Sequence, residues 1–177
     1  MVFQGLFAPR RTRVAGKALY ASAAAQSRQV AFYASLGVPD TADKRFELLT
    51  LHVALIVLRL KGQGDAAAET AQEVFDTFVQ ALDDALRELG VGDLAVGKKM
   101  RKLGEAFYGR ARAYEEAFAA LPDLTALQVL IDRTLLDAPG PAAASIAAYA
   151  GQAFEGLTAQ SLSDILEGRV EWPGVPS

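Results

Sequence analysis

GVGDLAVGKKMRKLGEAFYGR, residues 90–110, is the stretch around which the rest of this chain is read. It opens at a glycine break and passes Asp93, which is placed as a helix N-cap. A carboxylate there accepts from the free N–H groups of the first turn. Val96, Met100, Leu103, Phe107, Tyr114, Phe118 and Leu121 then recur at steps of three, four or seven residues. That spacing predicts one apolar stripe on a helix of about 28 residues, ended by Pro122. Arg110 stands in the seven-residue gap, a cation where the stripe calls for a hydrophobe. Lys98, Lys99, Arg101 and Lys102 give the first turns a basic flank.

Outward toward the N-terminus, residues 66–89 carry Phe75, Phe78, Leu82, Leu86 and Leu89 at helical spacing, with an acidic outer face of Glu69, Glu73, Asp76, Asp83 and Asp84. Residues 42–61 are apolar nearly all round, which predicts the central buried helix. A membrane span is the rival reading, but the apolar run is about 15 residues against the roughly 20 a bilayer needs. Glu47 and His52 also interrupt it, and Arg59 closes it. Before it, residues 14–35 read as one alanine-rich helix with Gly37 as its C-cap. Pro39 then turns the chain, and Asp40 or Thr41 caps the central helix.

Outward toward the C-terminus, Thr125 and Gln128 have capping-box spacing ahead of a fifth helix. Residues 138–141, Ala-Pro-Gly-Pro, form a rigid connector, and Pro141 suits the first turn of a sixth helix through Phe154. Ser161 and Ser163 frame a short seventh, and an extended tail with Trp172 follows. No strand-period run or long repeat appears. The expected fold is all-α: a single-domain bundle of six or seven helices around a buried apolar helix at about residues 42–61.

Composition narrows the chemistry. The 177 residues are 51% hydrophobic and 22% charged, a folded composition. No cysteine and one histidine exclude disulfides, thiol nucleophiles and paired-histidine metal sites, so no cofactor or metal is expected. Net charge is -3, yet residues 1–39 hold five cations and no acid, leaving -8 on the remainder. Residues 1–13 are therefore read as a basic flexible arm and 14–177 as the helical domain. Such an arm suits ribosomal RNA or an anionic membrane surface. It is not a secretory signal, because its arginines follow the apolar piece.

Three features have a structural and a functional reading. His52, flanked one turn away by Leu48, Leu49, Leu55 and Ile56, reads as a neutral hydrogen-bonded core residue in preference to a catalyst. Arg110 needs either an acid on a neighbouring helix or a groove that receives a partner's acid or backbone. Gly97, Gly104 and Gly109 permit close approach of another helix, from this chain or from a client. The Gly90–Gly92 pair follows a helix and not a strand, against a dinucleotide site.

Two separated blocks carry a resemblance. Leu19-Tyr20, residues 32–41 (FYASLGVPDT), Arg45-Phe46-Glu47-Leu48-Leu49 and Leu51-His52 form the first, and residues 90–114 the second. Together they resemble the ubiquinol–cytochrome c chaperone family. Matching positions include Tyr33, Gly37, Pro39, Asp40, Arg45, Phe46, His52, Asp93, Lys98, Gly104, Tyr108, Gly109 and Arg110. One departure is Lys44, where the family commonly has a glycine before the Arg-Phe pair.

The resemblance implies a non-enzymatic assembly chaperone for the cytochrome bc1 complex. Its partner would be newly made cytochrome b or another assembly component. It also implies a cytoplasmic location peripheral to the inner membrane in a bacterium, or the matrix side in a mitochondrion. Partner binding is expected at Lys98, Lys99, Met100, Lys102, Leu103, Gly104, Phe107, Tyr108 and Arg110. Structural roles are expected for His52, Gly37, Pro39, Asp40 and Asp93. The alternatives are a helical oligomerisation or binding module, and a small-molecule enzyme using Arg110 and Tyr108 on an anionic ligand. A deep polar pocket at Arg110 would favour the enzyme, and a shallow apolar groove beside cations the chaperone.

Overall fold

The computed structural model describes residues 8–137 and 140–176, with side chains except those of residues 8–10 and 94. The described residues form eight helices: α1 Ala8–Ser27, α2 Val30–Ala34, α3 Ala42–Leu60, α4 Asp65–Glu88, α5 Asp93–Phe118, α6 Thr125–Leu135, α7 Pro141–Ala159 and α8 Leu162–Leu166. None of the described residues is in a strand. The all-α bundle expected from periodicity is therefore what the chain forms.

Why α3 is apolar all round is answered by its neighbours. It packs against α1, α4, α5, α6 and α7. Leu48, Leu51, Ala54 and Leu55 face one core cluster with residues of α5, α6 and α7. Val53, Ile56 and Leu60 face a second, with Leu19 and Ala23 of α1, Val74 and Phe78 of α4, and Phe107 of α5. Each fully buried aliphatic side chain contributes about 2 kcal/mol, so a helix clad on both sides anchors the fold. Thr41 is its N-cap, its hydroxyl accepting from the Lys44 N–H.

Two glycines record how closely elements meet. A Cβ on Gly16 of α1 would lie 2.5 Å from the Glu73 Cβ of α4. Gly168 has φ +84° and would place a Cβ 2.8 Å from that of Ala18. Only glycine allows both the left-handed turn after α8 and this contact with α1.

Several local expectations are corrected. Residues 14–35 are not one helix: α1 ends at Ser27 and α2 starts at Val30. The Ser27 carbonyl accepts from the Tyr33 hydroxyl at 3.1 Å, a side-chain partner that supports the break. Residues 8–13 of the expected flexible arm belong to α1, and Thr12 is buried. Residues 1–7 of that arm, and Ala138 and Pro139 of the connector, lie outside the described residues. Asp93 is the first residue of α5, not its N-cap, which is Gly92. Its carboxylate instead accepts from Arg87 at 2.5 Å, closing the α4–α5 turn. At α6 the Thr125 N–H donates to Asp123 Oδ1, so Asp123 takes the role expected of the Thr125–Gln128 box.

Asp40 grips Arg45 through two hydrogen bonds of 2.5 and 3.0 Å, which hold its carboxyl below the usual range. Gly37, with φ +67°, and the Val38 N–H bond to the Phe32 carbonyl close α2. Pro39 lies in the turn that follows, its carbonyl accepting from the Thr41 N–H at 2.9 Å.

Candidate functional site

Leu103 and Arg110 of α5 border an open cleft of about 790 Å³. Its lining comes from the N-terminal turns of α3, the C-terminal half of α4, α5 itself and the end of α6. Phe46, Leu82, Ala85, Leu86, Leu89 and Leu103 supply the apolar walls. Leu89 is 74% exposed. Helix α4 offers Leu82, Leu86 and Leu89 at i, i+4 and i+7, which places them on one face of that helix.

The polar groups of the cleft are largely neutralised by one another. Arg110 donates from Nε and Nη2 to the two oxygens of Glu47, at 2.8 and 2.9 Å. Their side chains are 28% and 12% exposed, and this pairing holds the guanidinium still more firmly protonated. A bidentate fork of this kind ties α5 to α3 and leaves Arg110 little capacity for a substrate anion. Lys44, the departure from the family pattern, donates to the carbonyls of Thr134 and Leu136 at 3.2 Å and pairs with Asp137 at 3.4 Å. It thereby satisfies carbonyls at the end of α6, where a cation is favourable. The hydroxyl of Tyr114, on the same helix as Arg110, is fully buried and meets no well-formed hydrogen bond among the described residues. Burial, with a smaller contribution from Glu47, pushes its pKa far up.

The expected partner-binding residues divide into groups. Lys98, Lys99 and Lys102 are exposed, as is the neighbouring Arg101, and none of the four forms an ion pair with a described acid. Met100, Leu103 and Gly104 are half-buried, and Leu103 lines the cleft. Phe107 does not belong with them: it is 2% exposed, with its ring 5.1 Å from Phe75 and 5.2 Å from Phe78. The α4 aromatics cover it, so the accessible stripe ends a turn earlier than expected. Tyr108 is 63% exposed and rests on Phe75, outside the cleft lining. The structure therefore does not bring Tyr108 and Arg110 into one pocket, although only Gly109 separates them in sequence.

The α5 glycines are also corrected. A Cβ added at Gly97, Gly104 or Gly109 would meet nothing within 4 Å. Among the described residues, no helix uses the close approach they allow.

His52 sits elsewhere, in the sealed interior, at 0% exposure. Its Nδ1–H donates to the Leu48 carbonyl at 2.7 Å, which leaves Nε2 to accept from the Tyr149 hydroxyl at 2.8 Å. Gln26 Nε2 donates to that hydroxyl at 2.9 Å and to the Pro173 carbonyl at 3.3 Å. Trp172 closes the chamber, edge-on to the imidazole at 5.2 Å, with its Nε1–H on Ser22 Oγ at 2.9 Å. Burial lowers the His52 pKa to about 4, so the ring is neutral at physiological pH. An extended tail with Trp172 was expected, but its closure over His52 and the Gln26–Tyr149 relay were not legible in the sequence. The nearest signal was Trp172, a lone tryptophan beside proline.

Among the described residues there is no group of three or more His, Asp or Glu side chains able to hold a metal. No described helix is long and apolar enough to cross a membrane.

Residues 34–172 match the family described as ubiquinol-cytochrome C chaperone. The crystal structure of the Cbp3 homolog from Brucella abortus superposes with a TM-score of 0.84 at 36% identity, over 94% of this chain and 92% of that one. Ubiquinol-cytochrome-c reductase complex assembly factor 1 of Xenopus laevis is 24% identical over 106 residues, 60% of this chain and 52% of the relative. The chain thus spans about half the length of that relative. A family match that runs from the end of α2 to the tail tryptophan covers most of the sequence, and on that ground the chain belongs to the ubiquinol–cytochrome c chaperone family.

Proposed function

We propose that this protein is a non-enzymatic assembly chaperone for the cytochrome bc1 complex, and that α5 with its cleft receives a newly made component, cytochrome b foremost. The observation that carries this reading is the family match over residues 34–172. The open apolar cleft supports it, because a chaperone for a membrane subunit needs apolar surface that its own fold leaves uncovered. The paired state of Arg110 counts against the enzyme reading, and nothing specific favours a plain oligomerisation module.

The site of action in this proposal is the cytoplasmic side of a bacterial inner membrane, or the matrix side in a mitochondrion. Arg11, Arg13 and Lys17 are exposed on α1 and would add salt-sensitive attraction to ribosomal RNA or anionic lipid. Replacing Arg10, Arg11 and Arg13 by glutamine would weaken that attraction at low salt and leave folding intact.

The test is a strain lacking this chain. Its membranes are assayed for cytochrome b haem absorbance and for ubiquinol–cytochrome c reductase activity. Both should fall and return with the wild-type chain but not with Leu103→Glu. Normal levels of the complex in the deletion strain would overturn the proposal.

A further inference from the structure

We infer that the cleft between α3, α4, α5 and α6 takes one face of an amphipathic helix from a partner protein, with acidic residues flanking that helix's apolar stripe. This rests on the assembly reading above and names the chemistry of the partner.

Size is the first argument. A membrane-spanning helix about 30 Å long and 10 Å across displaces roughly 2,400 Å³. The cleft holds about 790 Å³, so it takes side chains from one face and not a whole span. Leu82, Leu86 and Leu89 on one wall and Phe46 and Leu103 on the others match anchors at i, i+3 or i+4, and i+7.

Charge is the second. The lining holds Asp43, Glu47 and Asp137 against Lys44, Arg110 and Arg133, equal in number, and Glu47–Arg110 and Lys44–Asp137 are paired. The interior therefore asks for no charged ligand. Directly beside it, Lys98, Lys99, Arg101 and Lys102 place four cations within five residues, exposed and without ion pairs among the described residues. Lys99 lies one turn before Leu103 and so neighbours it on the helix surface, and Lys102, three residues from Lys99, continues the same basic flank. Like charges so close repel one another, and acids on the polar flank of a docked helix would relieve this.

The experiment measures fluorescence anisotropy of two labelled synthetic helices with the same leucine pattern, one with glutamate and one with lysine at its polar positions. The full chain should bind the Leu/Glu helix at least about tenfold more tightly than the Leu/Lys helix, with the difference shrinking as salt rises. Leu89→Glu, at an exposed position outside the core, should weaken Leu/Glu binding by about tenfold or more. Lys99→Glu with Lys102→Glu should remove the preference between the two helices. Equal binding of both helices by the wild type, or no effect of Leu89→Glu, overturns the inference. So does a result in which the lysine changes abolish flotation with phosphatidylglycerol vesicles but leave peptide binding intact, since the cations then serve a membrane. If no helix binds while the deletion strain still lacks the bc1 complex, the cleft inference fails and the assembly function stands.

Discussion

The chamber around His52 and the cleft around Arg110 both put a polar group into apolar surroundings, and they do so in opposite ways. His52 is closed in by α1, α7 and the C-terminal tail, is neutral, and has both ring nitrogens hydrogen-bonded within the fold. Arg110 keeps its charge, holds it against Glu47 and stays 28% exposed beside half-buried hydrophobes. A neutral ring can be sealed at the cost of a few hydrogen bonds, whereas a guanidinium needs a carboxylate and some water. The closed region is thus where stability resides, and the open one is where a partner can act.

The largest effect is expected in the chamber. His52→Ala removes a buried ring and leaves the Leu48 carbonyl without its side-chain donor, so the chain should lose about 3 kcal/mol in urea unfolding. A loss within about 0.5 kcal/mol would mean that stability does not reside in the chamber.

Slightly smaller is the pH effect at the same residue. The folded pKa of about 4 lies below the value of 6.5 for an unperturbed histidine, so the unfolded chain takes the proton first as pH falls. Stability is then complete above pH 6.5, declines as pH drops toward 4 and levels off below that, by about 3 kcal/mol at most. Carboxylates titrate in the lower part of this range too. The informative quantity is therefore the difference in slope between wild type and His52→Gln, and equal slopes would contradict a neutral buried ring.

Across the molecule, Glu47→Ala should cost less, about 1–2 kcal/mol, although it breaks a bidentate pair. Arg110 can still turn its head to water, an escape that the sealed chamber denies. Thermal melts of Glu47→Ala and His52→Ala side by side check this order, and a reversed order would break the contrast between closed and open regions.

Smallest, and of opposite sign, is the glycine face of α5. Gly97→Ala and Gly104→Ala add a methyl to open space inside a helix, so each should stabilise the chain by about 0.5–1 kcal/mol. Destabilisation by either would show that a neighbour packs there after all.

What could be read from the sequence alone were the features set by short-range periodicity. Most of the helices (though not the break between α1 and α2), the burial of α3 on all sides, the place of Pro141 at the start of α7 and the poverty of catalytic groups all follow from residue types within a few turns. Burial of His52 was legible for the same reason, because its immediate neighbours are leucine and isoleucine. Tertiary structure decided whatever depends on residues far apart in the chain. Arg110 meets Glu47 across 63 positions, His52 meets Tyr149 across 97, and Gln26 reaches the Pro173 carbonyl across 147. It also decided that Phe107 is covered by Phe75 and Phe78 while Leu103, one turn earlier on the same stripe, is left at the cleft. A helical stripe shows which side chains share a face, but how far the facing helix extends over them is set by the packing of whole helices, which local periodicity does not encode.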